Sequence, residues 1–178
     1  MLVSHESPIS ILKDSRDYND YDYALVHLFE THPEYYNFFK DSKKLGRQVL
    51  LDNSIFELGK SFHSIKFAKY IKELKPNFYI VPDVLEDGYE TIKSFHNFVN
   101  EYTDLPGLKI GVVQGKTYDE LVDCYKYMSD NADYIAISFD YSYYLVTGIG
   151  KSKLERYSSG RYTFINDLKR EGIWNNYK

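Results

Sequence analysis

The sequence predicts an α/β fold built on a parallel sheet, of the (β/α)8 barrel type. Short runs of Val, Ile, Leu and Tyr recur along the chain, and amphipathic stretches separate them. Continuous apolar runs are typical of strands that are covered on both faces, and their alternation with helices implies a parallel sheet. Because 178 residues is an ordinary length for one domain, we expect a single domain over residues 1–178.

Six strands are expected, beginning near Leu2, Tyr23, Gln48, Phe78, Lys109 and Tyr134. Helices are expected over residues 61–74, 92–99 and 121–128, where apolar residues recur at helical spacing, and also over residues 34–45 and 160–172. A closed eight-unit barrel typically needs about 250 residues. The chain is therefore either an open six-stranded sheet or a barrel with about six β/α units, whose C-terminal part is missing. Residues 174–178 look like the approach to another strand, which favours the barrel.

Composition narrows the classes of function. The net charge of −4 argues against nonspecific nucleic-acid binding. However, residues 151–178 hold seven basic and three acidic side chains, a net charge of +4, which leaves −8 for residues 1–150. One cysteine, Cys124, excludes an internal disulfide and a thiolate metal site, and it is expected to be a packing residue. We expect no metal, no cofactor and no membrane span, and the cytoplasm is the expected location.

Polar residues follow the apolar runs at the points where strands should end. Asp52 follows residues 49–51, Asp83 follows residues 79–82, and Gln114 with Gly115 follows residues 109–113. Ser138 follows residues 134–137 in the same way. Chemistry in α/β barrels and open sheets lies past the carboxyl ends of the strands. These side chains are therefore predicted to line one pocket.

Three of these segments resemble the tRNA-guanine transglycosylase superfamily. Residues 51–57 are similar to its Asp-Ser-Gly-Gly-Phe-Gln element, Asp83 stands where that family has a base-reading aspartate, and residues 111–115 match its Val-Gln-Gly element. The likeness covers about residues 48–140 and, more loosely, the whole chain, and it is closer to the compact branch associated with phages and defence. It implies exchange or excision of a purine or deazapurine base in RNA or DNA, in the cytoplasm of a bacterial host if the gene is phage-encoded.

The resemblance also implies roles for individual residues. Asp83 and Gln114 would read the base, since a carboxylate accepts from a guanine-like edge and an amide both donates and accepts. Asp52 would be the acid/base or anchoring carboxylate that stabilises an oxocarbenium-like state. The remaining predicted contacts to the base are close approach by Gly115, a small-residue contact by Ser138, and stacking by Phe56 or by Tyr141, Tyr143 or Tyr144.

The sequence departs from the family at several points. Ser54 and Ile55 replace a glycine pair, and Glu57 replaces the final glutamine. Ile55 fills space that the family leaves open, so the base handled is expected to differ. The family's nucleophilic aspartate and its zinc site lie on later strands, beyond where this chain stops. We therefore expect a base pocket without the nucleophile.

Other interpretations of the same residues remain open. Asp52 could be a helix cap or turn residue, Asp83 could begin a helix, and Gln114 could belong to an ordinary βα turn. Asp140 and His27 are candidates by position alone. The alternative functions are a base- or nucleotide-binding module without turnover, and a barrel enzyme acting on a phosphorylated small molecule.

A basic segment follows the last predicted strand. Residues 148–152, Gly-Ile-Gly-Lys-Ser, lack the spacing of a phosphate-binding loop and are expected to form a flexible loop with a basic end. Four cations in and after this loop are predicted to contact nucleic-acid phosphates: Lys151, Lys153, Arg156 and Arg161.

Overall fold

The computed structural model describes residues 2–138, 141–176 and 178. Within them lie five strands, β1 (Asp22–Leu25), β2 (Val49–Asp52), β3 (Phe78–Ile80), β4 (Leu108–Val113) and β5 (Tyr134–Ile137). The strands form one parallel sheet whose spatial order follows the chain order. The α/β class and the parallel sheet are therefore confirmed.

Nine α-helices lie in the same described residues. They are α1 (Leu12–Ser15), α2 (Leu28–Thr31), α3 (Pro33–Lys44), α4 (Ile55–Leu58), α5 (Ser64–Leu74), α6 (Gly88–Glu101), α7 (Tyr118–Asn131), α8 (Ser142–Thr147) and α9 (Lys153–Arg170). All five expected helices are present. The last one begins at Lys153 rather than Gly160, because Ser152 and Glu155 form a capping box there. None of the described helices is long and apolar enough to cross a membrane.

The strand expected near Leu2 is wrong, since residues 2–8 contain no strand. The Val3 N–H donates to Asp20 Oδ2 at 2.7 Å, and the His5 N–H donates to Asn19 Oδ1 at 2.9 Å. Side chains thus satisfy the amide groups that a sheet ladder would have needed. The described chain has five strands rather than six.

The chain divides into two compact units. Unit 1 comprises Met1–Pro82 and Phe98–Lys109, and unit 2 comprises Asp83–Asn97 and Ile110–Lys178. In unit 1, apolar side chains of β2 and α5 form a core that excludes water, and Leu51, Phe67 and Ile71 are fully buried. Aromatic rings pack around Phe29 in the same unit: Tyr35, Tyr36, Phe39 and Tyr70. Part of the high tyrosine content therefore serves packing.

A buried ion pair anchors the start of β1 in unit 1. Asp22 is 3% exposed, and Arg47 Nε lies 3.0 Å from both of its carboxylate oxygens. Arg47 also donates to the Asn19 carbonyl at 2.7 Å. The pair joins the beginning of β1 to the turn that precedes β2.

In unit 2, α7 buries Leu121, Cys124 and Met128. The same helix receives the C-terminal segment, where Trp174 stacks on Tyr125 with ring centroids 5.9 Å apart. The Asn175 N–H donates to Tyr125 Oη at 2.8 Å, which fixes this segment against the helix.

Candidate functional site

Asp83 lies in a buried polar cluster of unit 2. It follows β3 in the chain and is 3% exposed. Its Oδ2 accepts a hydrogen bond of 2.6 Å from Gln114 Nε2. Asp83 does not begin a helix. Asp87 instead caps α6, where its side chain accepts from the Glu90 N–H at 2.9 Å. Asp83 and Gln114, which the sequence predicted to lie together, are in direct contact.

Gln114 is completely buried at the end of β4 and uses its whole amide group. Nε2 donates to Asp83 and also to Tyr141 Oη at 2.9 Å, while Oε1 accepts from the Glu86 N–H at 2.9 Å. Both amide hydrogens are therefore occupied by protein groups. Direct contact between Gln114 and a base would require one of these bonds to break. In this structure Gln114 orients Asp83.

Tyr141 completes the cluster. It is buried, and burial raises the pKa of its hydroxyl to about 12, with a further contribution from the Asp83 charge. The hydrogen bond from Gln114 partly opposes this rise in the pKa. The phenol therefore stays protonated at neutral pH and can act as a donor. Ser138 lies near Tyr141, at the edge of the cluster, and its predicted contact with a base stays a prediction. Asp140 lies outside the described residues.

Glu86 is a residue of the cluster that sequence reasoning missed. Its backbone has φ of 56°, a left-handed conformation that is uncommon for residues other than glycine and costs of the order of 1 kcal/mol. Its carboxylate accepts from the Ser142 N–H at 2.8 Å and from the Ser142 hydroxyl. These bonds cap α8, whose own preceding residue supplies no side-chain cap. No local pattern in the sequence predicts this contact between distant loops.

Cys124 and Gly115 both serve the packing of α7. Burial raises the pKa of the Cys124 thiol to about 11, and its Sγ accepts from the Gln114 N–H at 3.5 Å. A Cβ on Gly115 would lie 2.8 Å from the Glu120 Cβ and 2.9 Å from the Leu121 nitrogen. Glycine at this position therefore allows β4 to lead closely into α7. Its predicted approach to a base stays a prediction.

Asp52 belongs to unit 1, at the end of β2. Its Oδ2 accepts from the Tyr23 hydroxyl, and its Oδ1 accepts from the Ser54 N–H at 2.5 Å. The second bond is an Asx-type turn, so the turn interpretation of Asp52 is confirmed. Burial, followed by the Asp52 charge, raises the pKa of Tyr23, which keeps this phenol a donor to the carboxylate. Asp52 is nevertheless only partly buried, and its predicted catalytic role stays a prediction.

The neighbours of Asp52 have different environments. Asn53 is fully buried, with Nδ2 donating to the Val81 carbonyl at 3.1 Å and Oδ1 accepting from the Ile55 N–H at 2.9 Å. It holds the loop after β2 and was missed as a structural residue. Phe56 is 65% exposed, so its ring is available for the predicted stacking. The expected convergence of Asp52 and Phe56 with Asp83 stays a prediction.

The four predicted phosphate contacts lie in and beside α9. Lys151 and Lys153 are exposed, and Arg156 is partly exposed. Arg161 is partly buried near the Tyr144 phenol, and burial lowers the pKa of its guanidinium. The loop amides are already used by Glu155, whose Oε2 accepts from the Lys151 N–H at 2.5 Å. The phosphate contacts of these four cations stay predictions.

Among residues 2–138, 141–176 and 178, no three His, Cys, Asp or Glu side chains are placed to hold a metal ion. Comparison of the chain with protein-family models and with curated proteins finds no match.

Proposed function

We propose that this protein binds a purine or deazapurine base through Asp83 and exchanges or excises that base in a nucleic acid. The proposal is carried by the environment of the Asp83 carboxylate. Asp83 lies in the loop after β3, is 3% exposed, and accepts a hydrogen bond of 2.6 Å from the Gln114 amide. A carboxylate fixed in this way presents acceptor atoms only. It suits a guanine-like edge, on which a ring N–H and an amino group donate side by side.

The chemistry is assigned to Asp52. Loss of a base breaks the N-glycosidic bond, whose electron pair leaves with the base and whose cation develops on the sugar. A carboxylate held by Tyr23 and the Ser54 N–H stabilises such a cation without having to reorganise. In exchange, an incoming base closes the new bond and loses a proton; in excision, water does so, and in both cases the departing base takes up one proton.

The proposal includes membership of the tRNA-guanine transglycosylase superfamily and a (β/α)8-type barrel. The chain-order arrangement of parallel strands supports this fold, because doubly wound open sheets reverse their strand order at a switch point. RNA or DNA is the proposed polymer partner. The exposed cations Lys151 and Lys153 support a phosphate contact.

Binding of guanine and 7-deazaguanine to the purified protein tests the proposal. Calorimetry on wild type should detect binding, and Asp83→Asn should weaken it by at least about tenfold, since the amide turns a donor toward the donors of the base. Asp123→Asn, which changes an exposed carboxylate on α7 of the same unit, is the matched control. If neither base binds to wild type, the proposal is wrong.

Turnover is measured separately, with labelled guanine and single-stranded RNA and DNA. An enzymatic function is supported if wild type releases or incorporates the label. This activity should be lost in Asp52→Asn and retained in the exposed control Asp17→Asn. Binding without turnover in any of the three proteins would favour the base-binding module instead.

A further inference from the structure

Glu86 joins three segments of unit 2. Its N–H donates to Gln114 Oε1 at 2.9 Å, and its carboxylate accepts from the Ser142 N–H at 2.8 Å and from the Ser142 hydroxyl. Gln114 follows β4, Ser142 begins α8, and Glu86 itself lies between Asp83 and α6. One residue thus holds the segments that carry Asp83, Gln114 and Tyr141.

We propose that Glu86 is the positioning residue of the Asp83 site. Its backbone N–H fixes the direction in which the Gln114 amide points, and its carboxylate fixes Tyr141 by holding the next residue, Ser142. The inference rests on the proposed function, because it explains how the site keeps its acceptor pattern toward a guanine-like base.

The pattern of donors and acceptors around Gln114 fixes the direction of its amide. A glutamine amide can turn by 180° and exchange its oxygen and nitrogen. The Glu86 N–H can only donate, so it selects the oxygen of Gln114. The nitrogen must then face Asp83 and Tyr141. In the turned amide, two donors would face each other at Glu86 and two acceptors would face each other at Asp83.

The direction of the amide decides the state of Asp83. With Gln114 Nε2 as donor, the carboxylate is stabilised in its ionised form and offers only acceptors to a ligand. With the amide oxygen in that place, Asp83 would need a proton and would donate it to that oxygen, so the charge that favours the two donors of a guanine-like edge would be lost. Glu86 therefore acts through Gln114, and it determines the preference between a guanine-like edge and an adenine-like edge without touching either.

The Glu86 side chain supports this arrangement from the other end. The backbone at Glu86 is left-handed, a conformation that tertiary contacts have to hold. The two bonds from Ser142 to the carboxylate supply such contacts. Lys116 lies near enough to contribute to the lowered pKa of this carboxyl. Without the carboxylate, the loop would be free to relax and its N–H would move away from Gln114.

Nuclear magnetic resonance of glutamine-labelled protein tests the inference without any ligand. Glutamine occurs only at positions 48 and 114, so two side-chain amide signals are expected, one from exposed Gln48 and one from buried Gln114. In wild type, the Gln114 amide hydrogens should exchange slowly with solvent. Glu86→Ala should accelerate this exchange by at least roughly tenfold, which corresponds to the loss of one hydrogen bond. Glu90→Ala removes a surface carboxylate that pairs with Lys93 and should change nothing.

Ser142→Ala is the second variant, because it removes the hydroxyl bond to the Glu86 carboxylate without substituting residue 86 itself, and it should also accelerate the exchange. Unaltered Gln114 exchange in folded Glu86→Ala, or in folded Ser142→Ala if the first variant does not fold, would overturn the inference. On the same proteins, the ratio of guanine to adenine affinity should fall by about tenfold in Glu86→Ala. A lower Tm with an unchanged ratio and unchanged exchange would leave Glu86 a purely structural residue and also overturn the inference. Absence of guanine binding by wild type would contradict the proposed function, and the exchange experiment would still decide on the amide.

Discussion

At the scale of single residues, the fully buried side chain of Gln114 serves three partners at once. Gln114→Ala leaves Asp83, the Tyr141 hydroxyl and the Glu86 N–H without this partner. Because unsatisfied buried polar groups are costly, we expect the free energy of unfolding to fall by about 3 kcal/mol in a urea titration. Gln48→Ala, at an exposed position, should stay within about 0.5 kcal/mol of wild type. A loss below about 1 kcal/mol for Gln114→Ala would contradict the network.

The single thiol provides a test of the core of unit 2. Burial raises the pKa of Cys124 to about 11, so very little thiolate exists at pH 8 and solvent does not reach the sulfur. A disulfide reagent should therefore label native protein very slowly and label protein in strong urea completely. Rapid labelling of the native protein, followed by absorbance, would show that the side chain is accessible and the packing assignment wrong.

The Glu86 carboxyl gives a stability that depends on pH. Hydrogen bonds from the Ser142 hydroxyl and then from the Ser142 N–H lower the pKa of Glu86 below its ordinary value of 4.5. The stabilisation is thus complete above that value and is lost as the pH falls through the lowered, folded-state pKa. In urea titrations, the free energies of unfolding of wild type and Glu86→Gln should differ by a constant amount around neutral pH. The two values should converge in acid. A difference independent of pH down to strong acid would contradict the assignment.

The sequence predicted that Asp83 and Gln114 lie together, but it did not predict the residues that hold them in place. Asp83 and Gln114 were predictable because each ends an apolar run, and parallel strands bring such ends to one edge. Their contact with Tyr141 and Glu86 depends on loop conformations that no local pattern encodes. The positive φ of Glu86 is typical of glycine or asparagine, so a glutamate gave no signal.

At the scale of elements, helix α7 is fixed by a capping box. Thr117 accepts from the Glu120 N–H, and the Glu120 side chain accepts from the Thr117 N–H in return. Thr117→Ala should lower the free energy of unfolding by about 1 kcal/mol, whereas Thr117→Ser, which keeps the hydroxyl, should cost little. Equal thermal stability of the two variants would mean that the cap contributes nothing.

The helices were more predictable than the first strand. Periodic apolar positions identified α5, α6 and α7, because a helix that covers a sheet must bury one face. The segment after Leu2 has an apolar start but lies against the side chains of Asn19 and Asp20. Side-chain acceptors competing for backbone donors are not visible in a local hydrophobic pattern.

At the scale of the whole molecule, charge is distributed unevenly, with the basic excess after residue 150. If this segment contacts phosphates, the affinity for single-stranded RNA or DNA should fall with salt concentration. Combined substitution of Lys151, Lys153 and Arg156 by alanine should make the negative slope of log affinity against log salt less steep by about 2, at about 0.7 per phosphate contact. The control replaces Lys60, Lys69 and Lys72, which are exposed in unit 1, and makes the same change in net charge. Equal slopes for the two triple variants would contradict a local phosphate contact.

For the molecule as a whole, the sequence predicted the class of fold but neither the number of strands nor the burial of the basic side chains. The class of fold followed from alternating patterns, but a strand count based on apolar runs included one run too many. Roles for Lys151 and Arg161 were assigned together, yet the structure places the first in solvent and the second partly inside, near Tyr144. Burial of a long basic side chain depends on tertiary packing, which composition does not encode.

Trp174 is the only tryptophan in the chain, and it lies face to face with Tyr125, with Lys169 Nζ 5.3 Å from its ring centroid. Excitation near the red edge of protein absorbance would therefore isolate a single indole. The emission wavelength and quenching of this indole report whether the C-terminal segment is packed on α7. Intrinsic fluorescence could therefore follow detachment of this segment during heating or ligand titration, with no dye attached.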